Sequence, residues 1–199
     1  LRNSVEVTAS NVTITNFTIK SSGTGWPSHG ILLNHAENCN ISGNKLTNND
    51  NGIRLSDSSN NIISGNNVTN NNVGIGAWDF SRYNNISGNY VANNSMGIWL
   101  FESPDNSVYE NEITKNNFGV RVCYCALNNK IYHNNVIDNT DQVYSWNSTS
   151  TWDNGYPSGG NYWSDYSGVD IRCGEYQNLI GSDGIGDTKY IVDANKFDR

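Results

Sequence analysis

The stretch Asn60-Asn61-Ile62-Ile63-Ser64-Gly65-Asn66-Asn67-Val68-Thr69-Asn70-Asn71, followed by Gly74-Ile75, decides how the rest of the chain is read. Taken alone, it would pass for a polar, disordered tract. Its neighbours repeat it. Asn44, Asn66, Asn89, Asn111 and Asn134 follow one another at steps of 22 or 23 residues, and a second column, Asn49, Asn71, Asn94, Asn116 and Asn139, trails the first by five. Gly30, Gly52, Gly74, Gly97 and Gly119 keep the same period. So do four apolar columns: Ile31, Ile53, Ile75, Ile98 and Val120; Leu33, Leu55, Ala77, Leu100 and Val122; Ile41, Ile63, Ile86, Val108 and Ile131; Leu46, Val68, Val91, Ile113 and Val136. Disorder gives no reason for such register.

The period is too short for paired-helix repeats and suits a coil of short strands joined by turns, an all-β solenoid. In Gly52-Ile53-Arg54-Leu55, alternation sends Ile53 and Leu55 inward and Arg54 outward. Stacked coils place equivalent residues about 4.8 Å apart. The apolar columns then form one continuous core, and the asparagines form ladders in which each side-chain amide donates to the next. The spacing of a leucine-rich repeat is absent.

Composition agrees. Asparagine supplies 36 of the 199 residues, and Asn, Gly and Ser disfavour long helices. With 12 Lys and Arg against 19 Asp and Glu, the net charge is −7, so the basic footprint of a nucleic-acid binder is missing. No apolar run approaches the ~18 residues of a membrane span. No signal-peptide pattern opens the chain, no capping helix precedes the first coil, and Phe197-Asp198-Arg199 ends it abruptly; it reads as a mature form or a fragment.

These units resemble the parallel β-helix repeats of NosD-like proteins, a group that includes many archaeal cell-surface proteins. The resemblance covers about residues 3–146. It implies a right-handed parallel β-helix of the pectin-lyase type in an extracellular setting, a fold that carries lyases, hydrolases, adhesins and envelope proteins alike. The expected organisation is a β-helix of about six coils over residues 1–146, with a loop at 21–29, and an aromatic, turn-rich module over 147–199. The latter's Gly160-Asn161-Tyr162-Trp163-Ser164-Asp165-Tyr166 resembles a module that follows such coils in archaeal surface proteins, where its rings would cap the open end.

No catalytic set emerges. Inverting hydrolysis needs an acid and a base carboxyl, and the chain holds no Asp-Asp dipeptide. Ser28-His29-Gly30 lacks partner carboxylates. Arg54 and Arg121 take equivalent outward positions three coils apart, about 14 Å, and read as solvated charge. The name NosD suggests copper, which wants Met, Cys or clustered His; one Met is present and His29, His35 and His133 are scattered, which disfavours copper delivery. Trp78, Trp99 and Phe101 form an outward aromatic strip suited to stacking on sugar rings, to a protein interface, or to burial under a loop. Asp183-Gly184-Ile185-Gly186-Asp187, with Asp193 beyond, is either a structural calcium site or a plain acidic turn.

The extracellular setting implied by the resemblance makes disulfides an expectation for Cys39, Cys123, Cys125 and Cys173. Cys39 lies more than three coils from Cys123, beyond the ~7 Å bridging limit. Cys173 would reach Cys123 or Cys125, leaving Cys39 and one other as free thiols or intermolecular links. Glycosylation sequons stand at Asn11, Asn16, Asn40, Asn67, Asn85, Asn93 and Asn147, a number that chance alone supplies.

The leading expectation is a non-enzymatic extracellular structural protein that self-associates, with or without disulfide links, into a surface layer, sheath or filament of the cell envelope. The alternative is a carbohydrate-binding β-helix module of a polysaccharide-active surface protein; a third is a polysaccharide lyase or hydrolase. No cofactor is expected beyond structural calcium.

Overall fold

The computed structural model describes all residues except 1–2, 24–27, 194–195 and 199, and the side chains of 21–23, 193 and 196–198. Most of the expected loop at 21–29 and the side chain of Asp193 therefore lie outside the described residues. The chain is a parallel β-helix of triangular section. Strands Val5–Val7, His29–Asn34, Asn51–Ser56, Val73–Trp78, Met96–Phe101, Phe118–Cys123 and Asp141–Trp146 build the first sheet, one strand per coil. The second sheet runs from Thr13–Thr15 to Lys130–Tyr132 and the third from Thr18–Gly23 to Tyr162–Trp163. Within these three sheets every pairing is parallel, and the strands run in register, as in Ile53↔Ile75 and Ile75↔Ile98, apart from a shift between Lys20 and Gly23.

The four apolar columns fill the interior, and Ile31, Leu33, Ile63, Val91 and Ile113 have no exposed surface. Burying each large aliphatic side chain contributes about 2 kcal/mol. The glycine column stands where the third sheet turns into the first. A Cβ on Gly74 would lie 2.6 Å from the carbonyl oxygen of Gly97 and 2.7 Å from Val91 Cγ1, so no larger residue fits.

Asparagines line all three turns. Asn66 is typical: its backbone N–H and its Nδ2 both donate to Asn89 Oδ1 at 3.0 Å, and Nδ2 also reaches the Ile41 carbonyl oxygen at 2.9 Å. Asn71 repeats this with Asn94 in the second column. A third ladder, Asn61, Asn84, Asn106 and Asn129, lines the remaining turn. Cys39 heads it, its N–H donating to Asn61 Oδ1 at 2.8 Å. A buried amide left unpaired costs about 1–3 kcal/mol; here each satisfies its neighbours, so the polar interior is stable.

Residues beyond 146 complete a seventh coil. Thr151 bridges Lys130, and Tyr162–Trp163 pairs with Asn135–Ile137. Asn161 extends the first ladder, its Oδ1 accepting from Asn134 Nδ2 at 2.9 Å. The insertion at 153–160 stretches this last step to 27 residues, which hides it from a search at the regular period. Trp152 and Trp163, both buried, close the core at this end, and Trp163 stacks on Tyr190 at 4.4 Å. The remaining segment forms two antiparallel hairpins.

Candidate functional site

Two outward columns of the first sheet carry the chemistry. Register places Glu6, Leu32, Arg54, Gly76, Trp99, Arg121 and Tyr144 in the central column. Beside it run Asn34, Ser56, Trp78, Phe101, Cys123 and Trp146. Aromatic residues of the same and of neighbouring coils meet directly. Trp78 packs edge-on against Trp99 at 4.7 Å, Trp99 lies 5.8 Å from Phe101, Phe101 lies 4.9 Å from Tyr124, and Tyr124 lies 4.8 Å from Trp146. Tyr124, Tyr144 and Trp146 are exposed; Trp78, Trp99 and Phe101 are half-buried. The three expected strip residues thus come together, joined by Tyr124 and Trp146, which the sequence reading had not included.

Both arginines are held by rings rather than solvated, which corrects the reading of free surface charge. With no side chain at Gly76, the Trp78 indole lies over it, since a Cβ there would be 3.1 Å from Trp78 Nε1. The indole thereby reaches the Arg54 guanidinium, 3.9 Å from the ring centroid. Arg54 also pairs with Asp79 at 3.3 Å, and its side chain is only 12% exposed. Arg121 sits against Trp99, Tyr144 and Phe118 at 4.9, 5.1 and 5.7 Å.

At the other end of the face His29 is buried at 3% exposure, and its Nδ1 has no hydrogen-bond partner. Burial, then the positive charge of Arg54, lowers its pKa from 6.5 to about 4, against smaller upward pulls from Asp50 and Glu6. It is a neutral imidazole. The buried Asn51 Oδ1 and Arg54 Nε are likewise unpartnered.

The other expected sites stand apart. Asp183 accepts from the N–H groups of Gly174 and Ile185, and Asp187 from those of Ile171 and Arg172, so both carboxylates hold the C-terminal loops in shape. All four cysteines are free thiols, contrary to the expected bridge. Cys39 is buried at the head of an asparagine ladder, and Cys123 is sealed beneath Trp99, whose Nε1 donates to its sulfur at 3.3 Å. Cys125 is exposed and Cys173 half-buried. Of the sequon asparagines, Asn11, Asn16, Asn67, Asn93 and Asn147 are exposed, while Asn40 and Asn85 are half-buried. A cavity of about 490 Å³ lies between the last coils and the C-terminal segment, lined by His133, Asn135, Tyr162, Tyr166 and Asp170 among others.

Among solved structures, the chain is similar to a periplasmic alginate epimerase, AlgG, with TM-score 0.54 and 23% identity over 69% of this chain and 32% of that one. It is also similar to the A-module of the mannuronan C-5 epimerase AlgE6 of Azotobacter vinelandii, with TM-score 0.55 and 12% identity over 82% of this chain and 55% of that one. At these identities the likeness is one of fold, and the chain spans about a third of the AlgG chain. No curated protein matches it significantly. The expectation of a non-enzymatic protein is corrected here: the two similar solved structures are epimerases, of alginate and of mannuronan. The comparisons give no support to a self-assembling envelope role.

The family described as periplasmic copper-binding protein (NosD) matches residues 2–168. The residues present do not fit copper. Among the described residues no three His, Cys, Asp or Glu side chains come together, Cys39 and Cys123 are sealed, and Met96 lies against Arg121 rather than a second soft donor. A match over this much of its length makes the chain a member of the NosD family, an extracytoplasmic β-helix protein.

Proposed function

We propose that the chain is the polysaccharide-recognising β-helix of a carbohydrate-acting protein outside the cytoplasm, with the outer face of the first sheet as its sugar platform. One observation carries this reading: an unbroken path of ring contacts from Trp78 through Trp99, Phe101 and Tyr124 to Trp146. It spans three coil spacings, about 14 Å along the axis. Rings with apolar faces and polar edges suit a ligand that is itself apolar on one face and hydroxylated at its rim. The fold neighbours act on alginate and mannuronan, which recommends a mannuronan polymer as the first probe.

Titration calorimetry of the full chain with polymannuronate and with neutral mannan tests the proposal. Binding of at least one polymer is expected, and Trp99→Ala should weaken it at least tenfold, about 1.4 kcal/mol, while the protein still unfolds cooperatively. Failure of the unmodified chain to bind either polymer would overturn the reading.

A further inference from the structure

Arg54 and Arg121 share one column of the first sheet, three coils apart, yet among the described residues only Arg54 has an anion beside it. Arg54 is neutralised within the fold by Asp79, which is held in turn by Ser56 Oγ at 2.6 Å. Arg54 pairs with Asp79, whereas no carboxylate among the described residues pairs with Arg121. Its surroundings are Trp99, Phe118, Tyr144 and the thioether of Met96, 3.8 Å from Nη1. Its Nε is buried without a hydrogen-bond partner.

Aromatic walls stabilise a cation through their ring faces but accept no strong hydrogen bond. Shielding a guanidinium from water therefore leaves donors unmet unless an acceptor arrives. The acceptor that matches a planar guanidinium is a planar carboxylate, met through two parallel N–H···O bonds.

We propose that Arg121 is the anchor for the carboxylate of an acidic glycan lying along the ring strip. The inference rests on the sugar-platform reading and narrows it: the ligand is a uronic-acid polymer, and it is anchored in the sixth coil rather than the third. Asp79 already occupies the equivalent role at Arg54, so the face offers one such anchor. The exposed Tyr144 and Trp146, on the coil beyond, would carry the rings of the neighbouring sugars. With a net charge of −7 the protein does not attract polyanions at long range; selectivity arises at contact.

The test titrates the full chain, Arg121→Gln, Arg121→Lys and Arg54→Gln with polymannuronate and with neutral mannan, after thermal unfolding confirms each variant is folded. Wild type should prefer polymannuronate. Arg121→Gln should lose that preference by about tenfold or more and leave mannan unchanged, while Arg121→Lys, which keeps the charge without the fork, should fall between. Arg54→Gln should leave the preference intact. Equal affinities for the two polymers, or wild-type affinity for polymannuronate in both Arg121 variants, would overturn the anchor and leave the platform standing. No binding of either polymer would remove both.

Discussion

The first and third sheets share a scaffold and differ outside it. Both are parallel, both stack one strand per coil, and both contribute fully buried aliphatic columns to the same interior. Outside, the third sheet presents Lys45, Asn67, Tyr90, Glu112, Asn135 and Tyr162 in succession, a mixed polar series whose two rings stand three coils apart. The first sheet presents two caged guanidinium groups and a path of touching aromatics. The backbone cannot account for the difference, since register and spacing are the same. Inward positions answer to the coil above and below, which forces repetition. Outward positions answer to whatever the molecule meets, and a departure from repetition there marks a surface in use.

The hardest blow to the scaffold falls on the ladders. Asn89→Ala removes the acceptor for Asn66 N–H and Nδ2 and the donor to the Ile63 carbonyl oxygen. It should cost about 3–5 kcal/mol in urea unfolding. A loss under 1 kcal/mol would mean the interior tolerates unpaired amides. Next comes the pH response of His29. Because its folded pKa is about 4 against 6.5, the unfolded chain takes up the proton first. Stability is complete above pH 6.5 and falls as the pH drops toward 4, by up to about 3 kcal/mol. The slope of unfolding free energy against pH should flatten in His29→Gln.

Smaller effects separate the two faces. Trp99→Ala should cost about 1–2 kcal/mol of stability, as lost ring contacts at a half-buried site do, whereas Asn67→Ala on the exposed third sheet should change unfolding by less than about 0.5 kcal/mol. Equal costs would erase the contrast drawn above. Thiol titration of the native protein should label Cys125 first and Cys173 more slowly, with Cys39 and Cys123 reacting only on unfolding. Immediate labelling of all four would show that the Trp99 cover over Cys123 is not maintained.

What the sequence made legible follows the same division. Four aliphatic columns and ten ladder asparagines could be named in advance, because stacking imposes one residue type at one interval. The third ladder was equally periodic at Asn61, Asn84, Asn106 and Asn129, but Cys39 occupies its place in the second coil and broke the pattern. The seventh coil escaped because an insertion lengthened its period. The arginines were assigned to the outer face correctly and to solvent wrongly. Their burial depends on rings from other coils and on the missing side chain of Gly76, relations that no local pattern in the chain records. The expected bridge from Cys173 to Cys123 or Cys125 is not formed, and the indole that covers Cys123 is likewise something no local pattern records.

The ladders also bear on how such a molecule changes over time. Every ladder amide turns its oxygen to the coil behind and hands a donor to the coil ahead, so all junctions between regular coils are chemically interchangeable. Excising or duplicating one period at such a junction would leave every interior hydrogen bond closed, and the gene is free to lengthen or shorten the rod. The outer face has no such freedom: the same edit would slide Arg121 away from Trp99 or Tyr144 by a whole step, trading recognition for length.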